Sequence, residues 1–587
     1  MANLKTTALN QVQIHAPAKK MDYDIPYFGG LDTTTDPTAL NEIDSPDTLN
    51  TVYDSARAVS SRKGYTKLLT TKLPSFVGGM YPLYQSTGIR QLFYASDTNF
   101  YIYNNAGGST KITGVPANFT ANQQWSFDEY MDDVYGGNGV DGLISYNGST
   151  YSVANGAITP QFVCIHKNRV YCANANSSTL YFSDAGNPTS FPANNFIQIN
   201  TQDGQNITGI SELLDNLVIF KDESVWILTG EPLGAGNLTT IGNLQLQQAN
   251  SAVGCTSFRS IQLVNQSLIF GHYSGLYILQ NSNVTPLSPS LNATFKNNTN
   301  LDKSNLSWGL YSSREKKYLY GYCGPTSSTP DHVIVYDLIT QEYSIWDDHP
   351  GGCAVNFRFS GYTPTVLMGD PTQGNIYELF QGYADIAGYT NTSPGATGGS
   401  TTTLIDTAAS WTTNEFVDCK VMIGSNLGSY QTATVLSNTS NTLTFTSAIA
   451  TAPVAGTPYS IGFYTSYWKS KIFDFGMVGY SKVYRFLNLF MDATTYPLLC
   501  GASVDFAPLT FQKSYNNVAS GLVWGTGTWG TGTWGSNSSL FGQVNIGNVG
   551  RYVQAMFGNN LANQPWRCSH MSFMYKVKRE RPNIVTT

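Results

Sequence analysis

The stretch Ser267-Leu-Ile-Phe-Gly-His-Tyr-Ser-Gly-Leu-Tyr-Ile-Leu279 decides the fold. An apolar strand meets a short turn, and a second strand of apolar-aromatic-apolar type comes back. The same unit recurs about every 36–50 residues, at 92–104, 134–146, 170–182, 217–228, 318–337 and 366–380. A lone hairpin cannot bury its apolar face, so such units need neighbours. The spacing leaves room for four short strands, the size of one propeller blade. Seven hairpins predict an all-β chain built on a β-propeller of about seven blades, or six if one hairpin lies outside the ring. Leu217-Val-Ile-Phe220 is apolar at successive positions, as strands stacked between blades require.

Outward from the repeat, residues 76–385 make the predicted propeller. Residues 1–25 are polar and aperiodic and read as an N-terminal arm. Residues 26–75 are rich in turn chemistry (Gly-Gly, Asp-Pro, Ser-Pro) and read as a β segment packing on the C-terminal domain, with a hairpin turning at Asp54-Ser-Ala56. Residues 386–462 follow the Gly-rich Ser393-Pro-Gly-Ala-Thr-Gly-Gly399 and hold five or six short Thr/Ser-rich strands, predicted to form an inserted small β-barrel module. Residues 463–587 alternate well enough for a C-terminal β-sandwich-like domain. Within it, Trp524, Trp529 and Trp534 punctuate a five-residue Gly-rich repeat that cannot be helical. The reading favours these three indoles as docking contacts to a partner, with sugar stacking as the alternative.

Composition narrows the function. Charged residues are 12% of the chain, about half the usual share of ~25%. The net charge of −6 argues against tight binding of a nucleic-acid backbone. A mildly acidic wall past which DNA slides remains compatible, and Asp128, Glu129, Asp132 and Asp133 are the candidate channel-lining carboxylates. The eight cysteines form no CxxC and are scattered, against both a metal knuckle and a disulfide scaffold. Cys164 and Cys172 flank one turn and read as two buried thiols on one face. The N-terminus has no apolar run, so no signal peptide is read, and no stretch is long and apolar enough to span a membrane. No HExxH, GxSxG, Walker A or EF-hand string occurs. No catalytic residue, metal or cofactor is therefore expected. Ser183-Asp-Ala-Gly-Asn-Pro188 is similar to a sialidase Asp box, but with its Asp one place early and in a single copy.

The string Phe28-Gly-Gly-Leu-Asp32, then Asp44-Ser-Pro-Asp-Thr-Leu-Asn50, then Arg62-Lys-Gly-Tyr65 resembles the opening of tail nozzle proteins of short-tailed bacteriophages, also called tail tubular or stabilisation proteins. The Ser183–Pro188 turn, Tyr467-Trp-Lys-Ser-Lys-Ile-Phe-Asp-Phe475 and the Trp-Gly repeat resemble the same family. Residues 396–462 are similar to a small β-module of several phage tail proteins. The resemblance implies a non-enzymatic virion protein made in the host bacterial cytoplasm. It implies a homo-oligomer of six copies in a ring, below the portal adaptor protein, carrying tail fibres or spikes. Viral double-stranded DNA would pass through at ejection without sequence-specific binding. The rival readings are a carbohydrate-binding adhesin and a propeller glycosidase.

Overall fold

The computed structural model describes residues 21–104, 107–233, 242–516 and 540–578. Its largest part is a β-propeller of seven sheets. Their inner strands are Val77–Tyr84, Ser126–Tyr130, Pro160–His166, Ile207–Leu213, Gln262–Val264, Trp308–Ser312 and Cys353–Phe357. Each predicted hairpin supplies the middle two strands of one sheet. In the fifth, Ser267–His272 pairs with Gly275–Gln280 in register Phe270↔Tyr277.

Alternation explains the doubly apolar strands. Along Asn216–Lys221, Leu217 and Ile219 pack towards the third blade with Phe162 and Tyr171. Val218 and Phe220 pack the other way, with Leu268 and Phe270 of the fifth blade. Successive side chains point to opposite faces, so each strand serves two interblade cores. The same alternation corrects the cysteine reading. Across the turn Cys164 stands opposite Tyr171, and Cys172 opposite Val163. The two thiols are thus one register step out of phase. They are buried in different cores, on opposite faces of the sheet.

The ring closes with a strand from the other end of the propeller sequence. Gly64–Lys67 adds as the outer strand of the seventh sheet, with Leu379 opposite Tyr65. Segment 26–75 therefore does more than pack on the C-terminal domain: its last strand completes the propeller. Gly64 is required there, because a Cβ would lie 1.8 Å from the Ala384 carbonyl oxygen.

Residues 389–461 form a seven-stranded antiparallel sheet curled round its own core, which includes Leu404, Trp411, Phe416, Val435 and Phe445. Its ends meet: the Asp385 N–H donates to the Gly462 carbonyl at 2.9 Å. The insertion thus leaves and re-enters the main body at one point.

The C-terminal domain is a sandwich of two sheets. One contains Lys482–Met491, Arg567–Val577 and Leu540–Asn545. The hairpin Thr51–Tyr53/Val59–Ser61 and the strand Met21–Ile25 join it from the N-terminal end of the chain. The other contains Ser466–Lys469, Val553–Asn559, Pro497–Val504 and Lys513–Asn516. The dipeptide Thr48–Leu49 splices this sheet to the sixth blade, pairing with Ile345 on one side and Tyr467 and Trp468 on the other. A nine-stranded sheet thereby runs from propeller to sandwich without a break. Trp468, Leu498 and Phe557 from this sheet meet Leu487, Leu489 and Phe573 from the other in the sandwich core.

Candidate functional site

The seven inner strands enclose an axial cavity of about 930 Å³. One end is closed by Arg259, carried on a short 3-10 turn, Phe258–Ser260, before the fifth blade. Its guanidinium donates to the Gly352 carbonyl at 2.6 Å and to the Gly78 carbonyl. Those carbonyls begin the inner strands of the seventh and first blades, two and three places round the ring. The side chain therefore crosses the axis. Burial lowers the pKa of Arg259, and no carboxylate pairs with it among the described residues.

The opposite end has carboxylates on its wall and both signs of charge on its rim, where Arg90, Arg314, Lys316 and Arg358 are exposed. Asp128, Glu129 and Glu212 line the cavity there. The Asp128 carboxylate accepts from the Ile165 and Glu129 N–H groups at 2.7 and 2.9 Å. Burial nonetheless pushes its pKa up to about 6. Burial also raises Glu129, with Asp132 and Asp128 adding repulsion. Glu212 lies 2.9 Å from His166 Nδ1. Of the four predicted carboxylates, Asp128 and Glu129 lie on the cavity wall. Asp132 sits in the turn after the inner strand Ser126–Tyr130 and Asp133 opens the next strand, both outside the wall. Asp132 accepts from the Ser86 N–H at 2.7 Å and from the Ser86 hydroxyl. Sequence reading passed over Glu212 and Arg259, because only ring closure brings them to one axis.

The cavity is not a through-passage, because Arg259 bars one end.

A second assembly of polar groups lies where propeller, module and sandwich meet. Arg62 is wholly buried and donates to both carboxylate oxygens of Asp385 at 2.8 and 2.7 Å. Its Nε donates to Asn50 Oδ1 at 2.8 Å, and the Tyr464 ring lies 4.0 Å from the guanidinium. Asn50 in turn donates to the Thr465 carbonyl at 2.7 Å and to Asp347. Four distant segments are joined through two side chains. Four of the resemblance-bearing strings meet near this junction, while Ser183–Pro188 lies on the third blade. Phe28 packs edge-on to Trp468 at 4.8 Å. The Ser45 N–H donates to the Gly30 carbonyl at 2.9 Å, and Tyr467 donates to Asp47 at 2.8 Å across 420 residues. Asp385 and Tyr464 carry no local signal, so only the fold reveals them.

Charge is divided unevenly along the chain. Residues 463–587 hold 11 Lys and Arg against 4 Asp and Glu, a net +7, which leaves −13 on residues 1–462 of the overall −6. At one tip of the sandwich two loops converge on buried Lys482. Its ammonium donates to the carbonyls of Met477 and Arg551 at 2.8 Å and of Tyr480 at 3.2 Å. Asp505 accepts from the Arg551 and Tyr552 N–H groups at 2.7 and 3.0 Å. These loops expose Val478, Tyr480, Phe506 and Val549, each about half exposed or more. Trp524, Trp529 and Trp534 lie outside the described residues.

No protein-family description and no curated protein matches the chain. Solved structures similar to it include the extracellular domain of a hybrid two-component system of B. thetaiotaomicron. That match has 11% identity, covers 58% of this chain and 45% of the other, and has a TM-score of 0.37. Virginiamycin B lyase of Staphylococcus aureus matches at 9% identity over 52% of this chain and 94% of its own, TM-score 0.36. The Neurospora crassa Pan2 WD40 domain matches at 10% over 56% and 97%, TM-score 0.34.

Proposed function

We propose that the chain is a structural, non-enzymatic virion protein, a tail nozzle whose copies close into a ring-shaped conduit. The observation that carries the reading is the junction. The strings Phe28–Asp32, Asp44–Asn50, Arg62–Tyr65 and Tyr467–Phe475, each of which resembles the nozzle family, pack together at the joint between propeller and sandwich, while Ser183–Pro188 lies on the third blade. Their meeting at one joint supports reading these four strings as parts of one structural device. The mechanism is geometric. Each propeller is plugged on its own axis by Arg259, so DNA would travel through the opening between copies. The continuous nine-stranded sheet makes each copy a rigid stave, because sliding propeller against sandwich would break ladder hydrogen bonds. Six copies, an adaptor above and fibres or spikes outside complete the arrangement that the resemblance implies.

Peptide mass spectrometry of purified particles of the virus that encodes the chain tests this. Stoichiometric recovery of its peptides, at about six copies per particle, is expected. Absence from the particles, or glycan turnover by the purified chain at an enzyme-like rate, would overturn the proposal.

A further inference from the structure

The axial cavity carries opposite charges at its two levels. Arg259 forms the floor, and Asp128, Glu129 and Glu212 stand on the wall nearer the mouth. Among the described residues these four are the only charged ones that line it. Arg90, Arg314, Lys316 and Arg358 belong to the rim and lie outside the lining.

A strut alone would not need the charge of Arg259. The carbonyls of Gly78 and Gly352 take two of the five N–H donors of a guanidinium and neutralise none of its charge. A buried cation is ordinarily paired with an anion, and no carboxylate meets Arg259 among the described residues. Its side chain lines the cavity, so an anion entering from the mouth reaches it.

The wall between the two levels offers hydrogen bonds. Each inner strand ends its sheet, so one row of its N–H and C=O groups faces the axis without a neighbouring strand. Arg259 uses two of these carbonyls, and Asp128 takes the Ile165 N–H at 2.7 Å. The remainder face water or a ligand.

Depth sets the size of that ligand. The Trp125 N–H donates at 2.9 Å to the same Gly78 carbonyl that Arg259 holds, so the floor is level with Trp125. Asp128 stands three residues further on. Three residues of strand rise about 10 Å, roughly the length of an extended tripeptide. The volume of about 930 Å³ suits a small ligand.

The geometry points to a binding site for a short free peptide, with its carboxylate on Arg259, its backbone along the inner-strand edges and its terminal ammonium among Asp128, Glu129 and Glu212. A simple anion would be repelled by the wall, and a simple cation would leave Arg259 unpaired. A ligand charged at both ends, with amides between, answers every polar level of the cavity. The inference goes beyond the structural role proposed above and does not depend on the ring.

Isothermal titration calorimetry of the full chain with trialanine tests it. Binding with a Kd below about 1 mM is expected. Trialanine amide lacks the carboxylate and N-acetyl-trialanine lacks the ammonium, and each should bind at least tenfold more weakly. Both comparisons leave the protein unchanged, so folding does not enter them. Arg259→Gln should erase the preference for trialanine over its amide. That change also removes the strut, so E129Q/E212Q, remote from the floor, supplies the independent check. It should weaken trialanine at least tenfold and leave the acetylated peptide as it was. No binding at about 10 mM trialanine, equal binding of all three peptides, or an E129Q/E212Q variant that binds as the wild type does would each overturn the site. Acetylated and free peptides binding alike, with the amide weak, would make the occupant the carboxy-terminus of a protein and overturn the free-peptide assignment. Recovery of the chain from virions at six copies without trialanine binding would remove only this site and leave the nozzle reading standing. Trialanine binding by a chain absent from virions would do the reverse.

Discussion

The propeller and the sandwich are both all-β, yet they are assembled on opposite principles. Each blade is drawn from one short stretch of chain, and only the seventh borrows a strand, Gly64–Lys67, from elsewhere. The sandwich combines Met21–Ile25, the hairpin at 51–61, and strands from 466 to 577. The propeller is acidic and the sandwich basic. The difference shows how a repeat fold and a non-local fold can be welded into one body. Welding takes one two-residue strand, Thr48–Leu49, and one buried cation, Arg62.

The largest expected effect comes from breaking that weld. Arg62→Met leaves Asp385 buried with no cationic partner, although burial already raises its pKa to about 6. Removing one member of a buried pair costs about 3–5 kcal/mol. Urea unfolding should show that loss, with propeller and sandwich transitions separating. A loss under about 1 kcal/mol would mean that the two regions are not coupled through this side chain.

A smaller effect should follow from disturbing closure of the ring. Gly64→Val drives a branched side chain into the Ala384 carbonyl, and overpacking of this kind costs about 1–3 kcal/mol. Hydrogen exchange should rise along Ile376–Gln381, which pairs with the displaced strand, while Ser267–His272 stays protected. Uniform loss of protection in all blades would contradict the account of the seventh sheet as a local closure.

The smallest effect is expected from excision of the module. Residues 387–461 carry their own core and leave the body at one point. Deleting them removes ion pairs such as Lys67–Asp418 and Lys420–Asp348. Partly exposed pairs are worth about 0–1 kcal/mol each. The melting temperature of the remaining chain should move by only a few degrees. A collapse of the propeller would show that the module belongs to the main core.

These contrasts also explain what was legible in the sequence. The blades were, because a hairpin such as 267–279 states its pairing within a dozen residues. Burial on both faces of Leu217–Phe220 followed from the same reasoning. The closing role of Gly64–Lys67 was not, since its partner lies more than 300 residues away. Neither was the axial strut: Arg259 is an ordinary arginine until the ring sets Gly78 and Gly352 across from it. The thiols were legible as buried but not as facing apart, because the register of the turn at Lys167-Asn168 decides the face. Asp128 and Glu129 stood out as an acidic pair, while Glu212, which joins them at the mouth, came from another blade.

The most direct test of the account is imaging of the purified full chain by electron microscopy at low salt. It predicts closed rings in which the central opening lies between copies, wide enough for duplex DNA, while each propeller axis is barred by Arg259. Lone monomers at every concentration, or density for DNA threading a propeller axis, would contradict it.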